Sequence, residues 1–379
     1  MSFDLFAYRK LQDTAADCED RCDQIEREMR DPKAAERFAL KQSQAFVDQM
    51  EGFALELEDE LMNFSDVSYK SFVKSESEII TLFYDKFADI PLLSRMDAVA
   101  ETFIDEIETL LNRDLPEEER IPLIEKFRKM YETMDFYVLY NRFLKKEGYQ
   151  TLPRRPLEKR KLRYEDVYPV LYLKYRLSRQ AERSNIKHLV IDEMQDYSYL
   201  QYTILANLFS CKMTILGDRA QTMDVRQQDV LKFLPRILGR DLHKIEMNKS
   251  YRNTVEIAEY AAKISGIEDL ILLDRHGKEV AEQTFASEDF LLDAVQENLN
   301  EEFETAALLT MTEEEALELN RLLKLRGAEV AYIDKNSSFF KKGLTVTTFY
   351  LAKGLEFDQV FALYTTQDNT PLHRQARYI

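Results

Sequence analysis

The spacing of apolar residues divides the chain into an N-terminal half with helical periodicity and a C-terminal half with short apolar runs. Over residues 1 to about 150, apolar positions recur three or four residues apart, which predicts amphipathic helices. One such stripe consists of Phe46, Met50, Phe53, Leu57 and Leu61. A second consists of Leu11, Cys18, Cys22, Ile25 and Met29. Acidic residues occupy the intervening positions, and we expect them to form solvated helix faces.

Prolines and a cluster of basic residues occur toward the end of this helical half. Leu115-Pro116 and Ile121-Pro122 predict helix breaks, because proline restricts the residue before it. A basic segment then follows, with Arg154, Arg155, Lys159, Arg160, Lys161 and Arg163. Two interpretations of this segment stay open. It is either an exposed linker or a patch that contacts the phosphates of a nucleic acid.

Beyond residue 163 the pattern changes to short apolar runs that alternate with helical stretches. The runs predict strands at 187–192, 213–216, 243–247, 306–310, 329–333, 344–349 and 359–364. The stretches between them predict helices, among them 229–238, 253–265 and 313–325. Alternation of this kind is typical of a parallel sheet. The sequence therefore predicts an α/β fold that follows a large, all-helical N-terminal subdomain.

Two of the predicted strands end on acidic residues. Residues 189–196 read LVIDEMQD, and residues 214–222 read TILGDRAQT. Parallel strands present their carboxyl ends at one edge of the sheet, where ligands bind. There Asp192 can hold a Mg²⁺ that bridges phosphates, Glu193 can activate a water, and Gln221 can sense a γ-phosphate. The alternative is that the acidic residues cap the following helices.

These strings resemble motifs II and III of the UvrD/Rep superfamily 1 helicases. Residues 247–254 (MNKSYRNT) are similar to motif IV of that family, and residues 347–358 (TTFYLAKGLEFD) to motif V. The DEMQDYSYLQY run looks most like the HelD branch, the helicase-like proteins associated with bacterial RNA polymerase. The resemblance implies incomplete RecA-like P-loop NTPase lobes. It divides the chain into a helical subdomain similar to the 1B insertion at 1–163, the first lobe with motifs II–IV at 164–270, and part of the second lobe with motif V at 271–379.

The resemblance also implies roles for residues in motifs IV and V. Tyr251 would stack on the adenine, and Arg252 would reach the γ-phosphate. Gly354 would allow a close approach of the backbone or a positive φ, and Glu356 would bind the ribose. Many family members have His-Ser before Ala-Lys-Gly in motif V, whereas this chain has Tyr350-Leu351. That departure fits the HelD branch better than a processive helicase.

Two family motifs have no counterpart in the sequence. No GxxxxGK[ST] phosphate-binding loop occurs, and the arginine-bearing motif VI would follow residue 379. We therefore expect an internal fragment that has no significant ATPase activity alone. Its parent would be an ATP-dependent helicase or translocase that uses ATP and Mg²⁺ and moves on single-stranded DNA. The alternative is a factor that binds RNA polymerase and remodels its complexes, with this chain as a catalytically silent binding module.

Composition limits these possibilities further. The net charge is −17, whereas proteins that bind nucleic acid normally carry a basic footprint, so the acidity favours the RNA polymerase alternative. Three cysteines fit a reducing cytoplasm, and we expect Cys18 and Cys22 to be small core or half-buried residues rather than metal ligands. No run of 18 apolar residues occurs, so we expect no membrane span.

Overall fold

The protein consists of two compact units. The computed structural model describes residues 2–178, 185–222, 229–239, 241–266, 271–300, 302–337, 342–364 and 376. The first compact unit, here the helical unit, comprises Met1–Gln24, Lys33–Leu189 and Ser198–Lys212. The second, here the α/β unit, comprises Ile25–Pro32, Val190–Tyr197 and Met213–Ile379.

The N-terminal part of the chain, through residue 208, is mainly helical. Its helices are α1 (Phe3–Lys10), α2 (Arg21–Arg30), α3 (Pro32–Lys41), α4 (Gln44–Glu60), α5 (Glu76–Thr81), α6 (Arg95–Leu111), α7 (Glu117–Arg128), α8 (Phe136–Lys146), α9 (Tyr164–Leu177) and α10 (Tyr199–Leu208). Short strands accompany them: β1 (Asp17–Cys18), β2 (Val67–Tyr69), β3 (Phe72–Lys74) and β4 (Lys161–Leu162). β2 and β3 form an antiparallel hairpin, and β1 pairs with β4 in parallel.

The core of the helical unit forms around α9, which contacts α1, α4, α8 and α10. The predicted stripe on α4 is confirmed, because all five of its apolar side chains are buried. α9 is buried nearly all round and carries acidic residues into the interior. There Lys41 Nζ donates to Asp166 at 2.7 Å and to Glu165 at 3.1 Å, and Tyr140 Oη donates to Asp166 at 2.8 Å. Pairing of this kind offsets the cost of burying charge.

Two sequence predictions for this unit are wrong. The stripe from Leu11 to Met29 is not one helix, since α1 ends at Lys10 and Cys18 lies in a strand that pairs with Leu162. Tertiary pairing with a segment far along the chain decides the conformation there. Pro122 also does not break a helix. It lies inside α7, where burial of Leu123 and Phe127 holds the helix together despite the proline.

The remaining part of the chain alternates strands and helices. Its strands are β5 (His188–Ile191), β6 (Lys212–Ile215), β7 (Lys249–Ser250), β8 (Ile271–Leu272), β9 (Thr305–Thr310), β10 (Val330–Tyr332), β11 (Gly343–Thr348) and β12 (Gln359–Ala362). Its helices are α11 (Val230–Leu238), α12 (Val255–Ser265), α13 (Glu288–Asn298), α14 (Glu313–Leu325) and α15 (Phe349–Ala352). A mixed α/β structure with parallel sheets is thus present, as predicted.

The largest sheet has the strand order β10-β11-β9-β12, and every pairing in it is parallel. Its core includes Leu308, Val346 and Leu323. These four strands and α14 match the predicted elements closely. The strand predicted at 243–247 is wrong. Its apolar side chains are not buried, because Ile245 is 75% and Met247 87% exposed. The chain instead pairs with β8 at Lys249–Ser250.

The contacts divide the chain differently from the three segments implied by the family resemblance. α9 and α10 belong to the helical unit, because apolar residues such as Val167, Leu171 and Leu200 join its core. The division into 1–163, 164–270 and 271–379 stays a prediction. Within the described ranges, no helix combines the length and hydropathy needed to cross a membrane.

Candidate functional site

The ends of β5 and β6 bring the acidic strings together. Leu216 N donates to Ile191 O, and Leu216 O accepts from Met194 N, both at 2.8 Å. Leu216, which follows β6, is thus bonded to the last residue of β5 and to the turn after β5, so the carboxyl ends of the two strands lie side by side. Asp192-Glu193 and Gly217-Asp218 therefore lie at the same edge. Among the described residues β5 pairs with β6 alone.

Glu193 adopts a backbone conformation that is uncommon for a residue with a side chain. Its φ of 53° and ψ of 48° lie in the left-handed region. Such conformations cost about 1–3 kcal/mol and persist where the surroundings fix them. Here the kink ends β5 and begins a 3-10 turn at Met194–Asp196, which directs Gln195 back toward Glu193.

Gln195 connects the two strand ends. This side chain is 3% exposed. Its Nε2 donates to Glu193 Oε2 at 2.5 Å, and its Oε1 accepts from Asp218 N at 3.1 Å. Both ends of the amide are thus occupied, which fixes the carboxylate of Glu193 relative to the loop after β6.

Gly217 is required by the close approach of these segments. A Cβ at this position would come within 2.6 Å of both N and Cγ of Met194, and closer still to Gln195 Oε1. Because one of these atoms belongs to the backbone, the clash cannot be relieved by a rotamer change alone. The glycine therefore permits the contact between the two strand ends.

The loop after β6 orients Gln221. It forms a 3-10 turn at Arg219–Gln221, and Gln221 Nε2 donates to Asp218 Oδ2 at 3.2 Å. The carboxylate of Asp218 thus holds the side chain of Gln221. Asp192 is exposed, and its carboxylate accepts from Glu193 N at 2.9 Å.

Lys353, in the string similar to motif V, reaches this cluster. It follows α15, and its side chain is 6% exposed. Its Nζ lies 2.6 Å from Asp196 Oδ2, 2.9 Å from Gln221 O and 3.6 Å from Glu193 Oε2. The string at 347–358 is therefore joined to both strand-end strings.

The remaining residues predicted for motifs IV and V also lie together. Arg252 Nε pairs with Glu356 Oε1 at 3.0 Å, and both side chains are largely exposed. Tyr251 is 63% exposed, so one face of its ring is open. Gly354 has a φ of +82°, which confirms that the turn before Glu356 needs a positive φ.

A neighbouring segment supports the turn that carries Tyr251 and Arg252. Arg275 Nη1 donates to Arg252 O, and Val255 N donates to Arg275 O, both at 2.9 Å. His276 contacts Glu256 at 2.8 Å, and this hydrogen bond lowers the pKa of Glu256 to about 2. The same contact raises the pKa of His276. These contacts hold the start of α12 in place, whereas the side chain of Arg252 remains exposed to solvent.

The basic segment is anchored inside the helical unit rather than spanning a gap as a free linker. Arg160 forms a forked pair with Asp135, at 3.0 and 2.6 Å, and Lys161 pairs with Asp17 at 3.2 Å. Tyr137 Oη donates to Pro153 O at 2.8 Å. Four exposed cations form no ion pair within the described residues: Arg154, Arg155, Lys159 and Arg163.

Comparison with known families is decisive for the class of protein. The family model of the UvrD/REP helicase N-terminal domain matches residues 2–223, more than half of the chain. The chain belongs to the UvrD/REP helicase family. A search of curated proteins finds no match.

The family match covers some of the sequence strings that carry predicted site residues, but not all of them. It contains both strand ends and the basic segment. The strings similar to motifs IV and V lie outside it, so their assignment and the HelD branch stay predictions. Membership of this helicase family implies a nucleotide and a nucleic acid as ligands of the class.

The donor set fits a magnesium ion held jointly with phosphates. No group of three or more His, Cys, Asp or Glu side chains among the described residues could enclose a metal. Mg²⁺ usually takes one or two carboxylates and completes its shell with water and substrate phosphates. Asp192 can supply one such carboxylate, since it is exposed at the strand end.

Sequence reasoning missed Gln195, Gly217 and Lys353 as parts of the site. Gln195 and Gly217 lie inside the two strand-end strings, so their position in the sequence indicated that they are near the site. The sequence did not indicate which atoms they contact. Lys353 is 160 residues from Glu193, and only the fold shows that its side chain turns inward.

Proposed function

We propose that this chain is part of an ATP-dependent superfamily 1 helicase or translocase that moves on single-stranded DNA. One observation carries the proposal. The residues predicted from four separate strings are connected in one unit. Gln195 joins the two strand-end strings, Lys353 joins the fourth string (347–358) to both of them, and the Arg252–Glu356 pair joins the third string (247–254) to the fourth. Residues that bind one nucleotide must lie together in this way.

The fold that we propose for the α/β unit is a pair of incomplete RecA-like lobes. The parallel order β10-β11-β9-β12 and the parallel strand ends of β5 and β6 support this. In open sheets of this kind, ligands bind at the carboxyl ends of the strands. The predicted site residues of the first lobe all follow such ends.

The chemistry assigned to each side chain follows from its contacts. Asp192 would hold a Mg²⁺, which would supply positive charge to offset the charge of the phosphates. Glu193, oriented by Gln195, would position and deprotonate the attacking water. Gln221, oriented by Asp218, would contact the γ-phosphate. Water-activating groups need this kind of fixed orientation, because misplacement by about 1 Å can reduce rates ~100-fold.

The exposed residues would bind the remaining parts of ATP. The Tyr251 ring would stack on the adenine, and the guanidinium of Arg252 would give forked donors to the γ-phosphate. Glu356 would accept from the ribose. Since Arg252 and Glu356 pair with each other at 3.0 Å, nucleotide binding would require this ion pair to separate. An exposed pair of this kind costs only about 0–1 kcal/mol to break.

A second candidate function is a factor that binds RNA polymerase, with hydrolysis resetting a protein complex. The net charge of −17 favours it, because an acidic surface repels DNA and attracts basic protein surfaces. Tyr350-Leu351, in place of His-Ser, also favours the HelD branch. In either case we expect the 379-residue chain to hydrolyse no ATP by itself, since its sequence has no phosphate-binding loop.

The test uses a fluorescent ATP analogue and Mg²⁺ with the purified chain. We expect Tyr251→Ala and Asp192→Asn each to weaken binding about tenfold, because each removes a ligand contact worth roughly 1–2 kcal/mol. The control is Glu304→Gln, an exposed carboxylate that pairs with Lys342 in the same unit. Equal affinities in all four proteins would overturn the site assignment. Mg²⁺-dependent turnover by the chain, abolished by Glu193→Gln, would instead overturn the expectation of a silent chain.

A further inference from the structure

Lys353 is the most enclosed cation of the α/β unit's described ion pairs. Its side chain is 6% exposed, whereas that of Lys342, also in an ion pair of this unit, is 76% exposed. Lys353 Nζ donates hydrogen bonds to the carboxylate of Asp196 and to the main-chain carbonyl of Gln221. The carboxylate of Glu193 lies 3.6 Å away, as an ion-pair partner.

The acceptors of Lys353 come from both strand-end strings. Asp196 closes the 3-10 turn that follows Glu193, and Gln221 closes the 3-10 turn after β6. Gln195 joins the same two turns from the other side. The turns are therefore held by one neutral amide and one charged amine. The amide orients Glu193 in the proposed chemistry, whereas the amine of Lys353 has no role in it.

We propose that Lys353 is a positioning residue that fixes the carboxylate of Glu193 relative to Gln221. The catalytic importance of this positioning rests on the proposed function, whereas the contacts of Lys353 do not depend on it. The ammonium pulls Asp196 and the Gln221 carbonyl to one point, and this sets the separation of the two turns. Charge-assisted bonds in a little-exposed site are stronger than neutral ones, so the loss of the amine releases both turns.

Amide hydrogen exchange of the purified chain tests this without any nucleotide. The reporters are the amides of Met194, Asp218 and Gln221, each hydrogen-bonded within the cluster. We expect Lys353→Met to raise their exchange rates at least about tenfold, since local opening sets exchange. Lys353→Arg, which keeps a charged donor, should restore part of the protection. Lys342→Met is the matched control and should leave the three rates unchanged.

A milder variant keeps the test informative if Lys353→Met destabilises the chain. Asp196→Asn removes one charged acceptor of Lys353 and leaves the amine in place. We expect the same three amides to exchange faster, by a smaller factor, with amides of α4 and β9 unaffected. Unchanged rates at the reporters in both variants would overturn the proposal. So would equal acceleration in α4 and β9, because that pattern means general loss of stability rather than positioning.

The two proposals fail separately. If Asp192→Asn and Tyr251→Ala leave the nucleotide affinity unchanged, the proposed function is overturned. The exchange rates would still show whether Lys353 fixes the two turns. If Lys353→Met leaves the three exchange rates unchanged, the positioning role is overturned, whereas the assignment of the nucleotide site is unaffected.

Discussion

At the scale of single residues, the candidate site depends on contacts that allow no additional atom. Glu193 is held in a left-handed conformation, Gln195 is buried between two segments, and Gly217 faces both. Strain and close packing at one location are typical of functional sites, where surrounding structure maintains a geometry that is unfavourable on its own. The packing around Gly217 can be tested directly.

We expect Gly217→Ala to destabilise the α/β unit by about 1–3 kcal/mol, because its Cβ would overlap the Met194 backbone. The control is Gly52→Ala. Gly52 lies inside α4, and an added Cβ there meets nothing within 4 Å. That substitution should stabilise the protein by roughly 0.5–1 kcal/mol, because alanine loses less entropy in a helix. Scanning calorimetry measures both midpoints, and a neutral Gly217→Ala would show that the strand ends can separate freely.

Sequence reasoning identified the residues that end the strands but not those that hold them. Asp192, Glu193 and Gln221 follow from the rule that parallel strands present their carboxyl ends to ligands. Gln195 and Lys353 follow from no such rule. Their roles depend on where their side chains turn after the backbone has folded, and in Lys353 on a contact with a segment more than a hundred residues away.

At the scale of elements, local signals and tertiary contacts contribute in different proportions. α14 begins with a capping box at Thr312 and Glu315 and carries an apolar stripe, so its bounds were predictable. β9 (TAALLT) contains a continuous apolar run, as buried parallel strands do. β11 (GLTVTT) is rich in β-branched residues, which favour strands, and is buried along most of its length. The strand predicted at 243–247 failed because alternation alone cannot show whether a partner strand lies beside it. Pro122 shows the converse, since packing maintains a helix that local preference would end.

Capping boxes at two helix starts of the helical unit allow these contributions to be measured. Ser198 caps α10, is 4% exposed, and donates to Gln42 Oε1 at 2.8 Å. Ser75 caps α5 by the same motif, but this side chain is only partly buried and its capping bond is exposed to solvent. We expect Ser198→Ala to cost about 2 kcal/mol, because it also leaves a buried acceptor of Gln42 unpaired. Ser75→Ala should cost about 0.5–1 kcal/mol.

Denaturant titration of both serine variants, followed by far-ultraviolet circular dichroism, gives the comparison. The two caps belong to the same compact unit, so the difference between them isolates the contribution of the contact with Gln42. Equal costs would mean that α10 depends on its cap alone and that this contact adds nothing.

At the scale of the whole molecule, the distribution of charge decides between the two candidate functions. The chain has a net charge of −17, yet Arg154, Arg155, Lys159 and Arg163 form no ion pair within the described part of the helical unit. Arg160 and Lys161, also predicted to contact nucleic acid, are already engaged by Asp135 and Asp17. We therefore narrow the proposed nucleic-acid contact to the four unpaired cations.

We expect replacement of these four cations by alanine to weaken binding of single-stranded DNA for all sequences alike. Each lost phosphate contact should also reduce the salt dependence of the binding constant by about 0.7 on a log–log scale, since fewer counterions are released. The matched control replaces four cations of the same unit that already have carboxylate partners: Lys70, Arg113, Arg142 and Lys146.

Both four-site variants have the same net charge, so a comparison of the two separates local contacts from overall repulsion. If only the first variant loses affinity and salt dependence, the unpaired cations contact the phosphates and the translocase function is favoured. If the two variants bind equally, the four unpaired cations make no specific contact with phosphates, because a contact within the screening length of about 8–10 Å would distinguish the two variants. DNA binding that is absent even at low salt would transfer our preference to the factor that binds RNA polymerase.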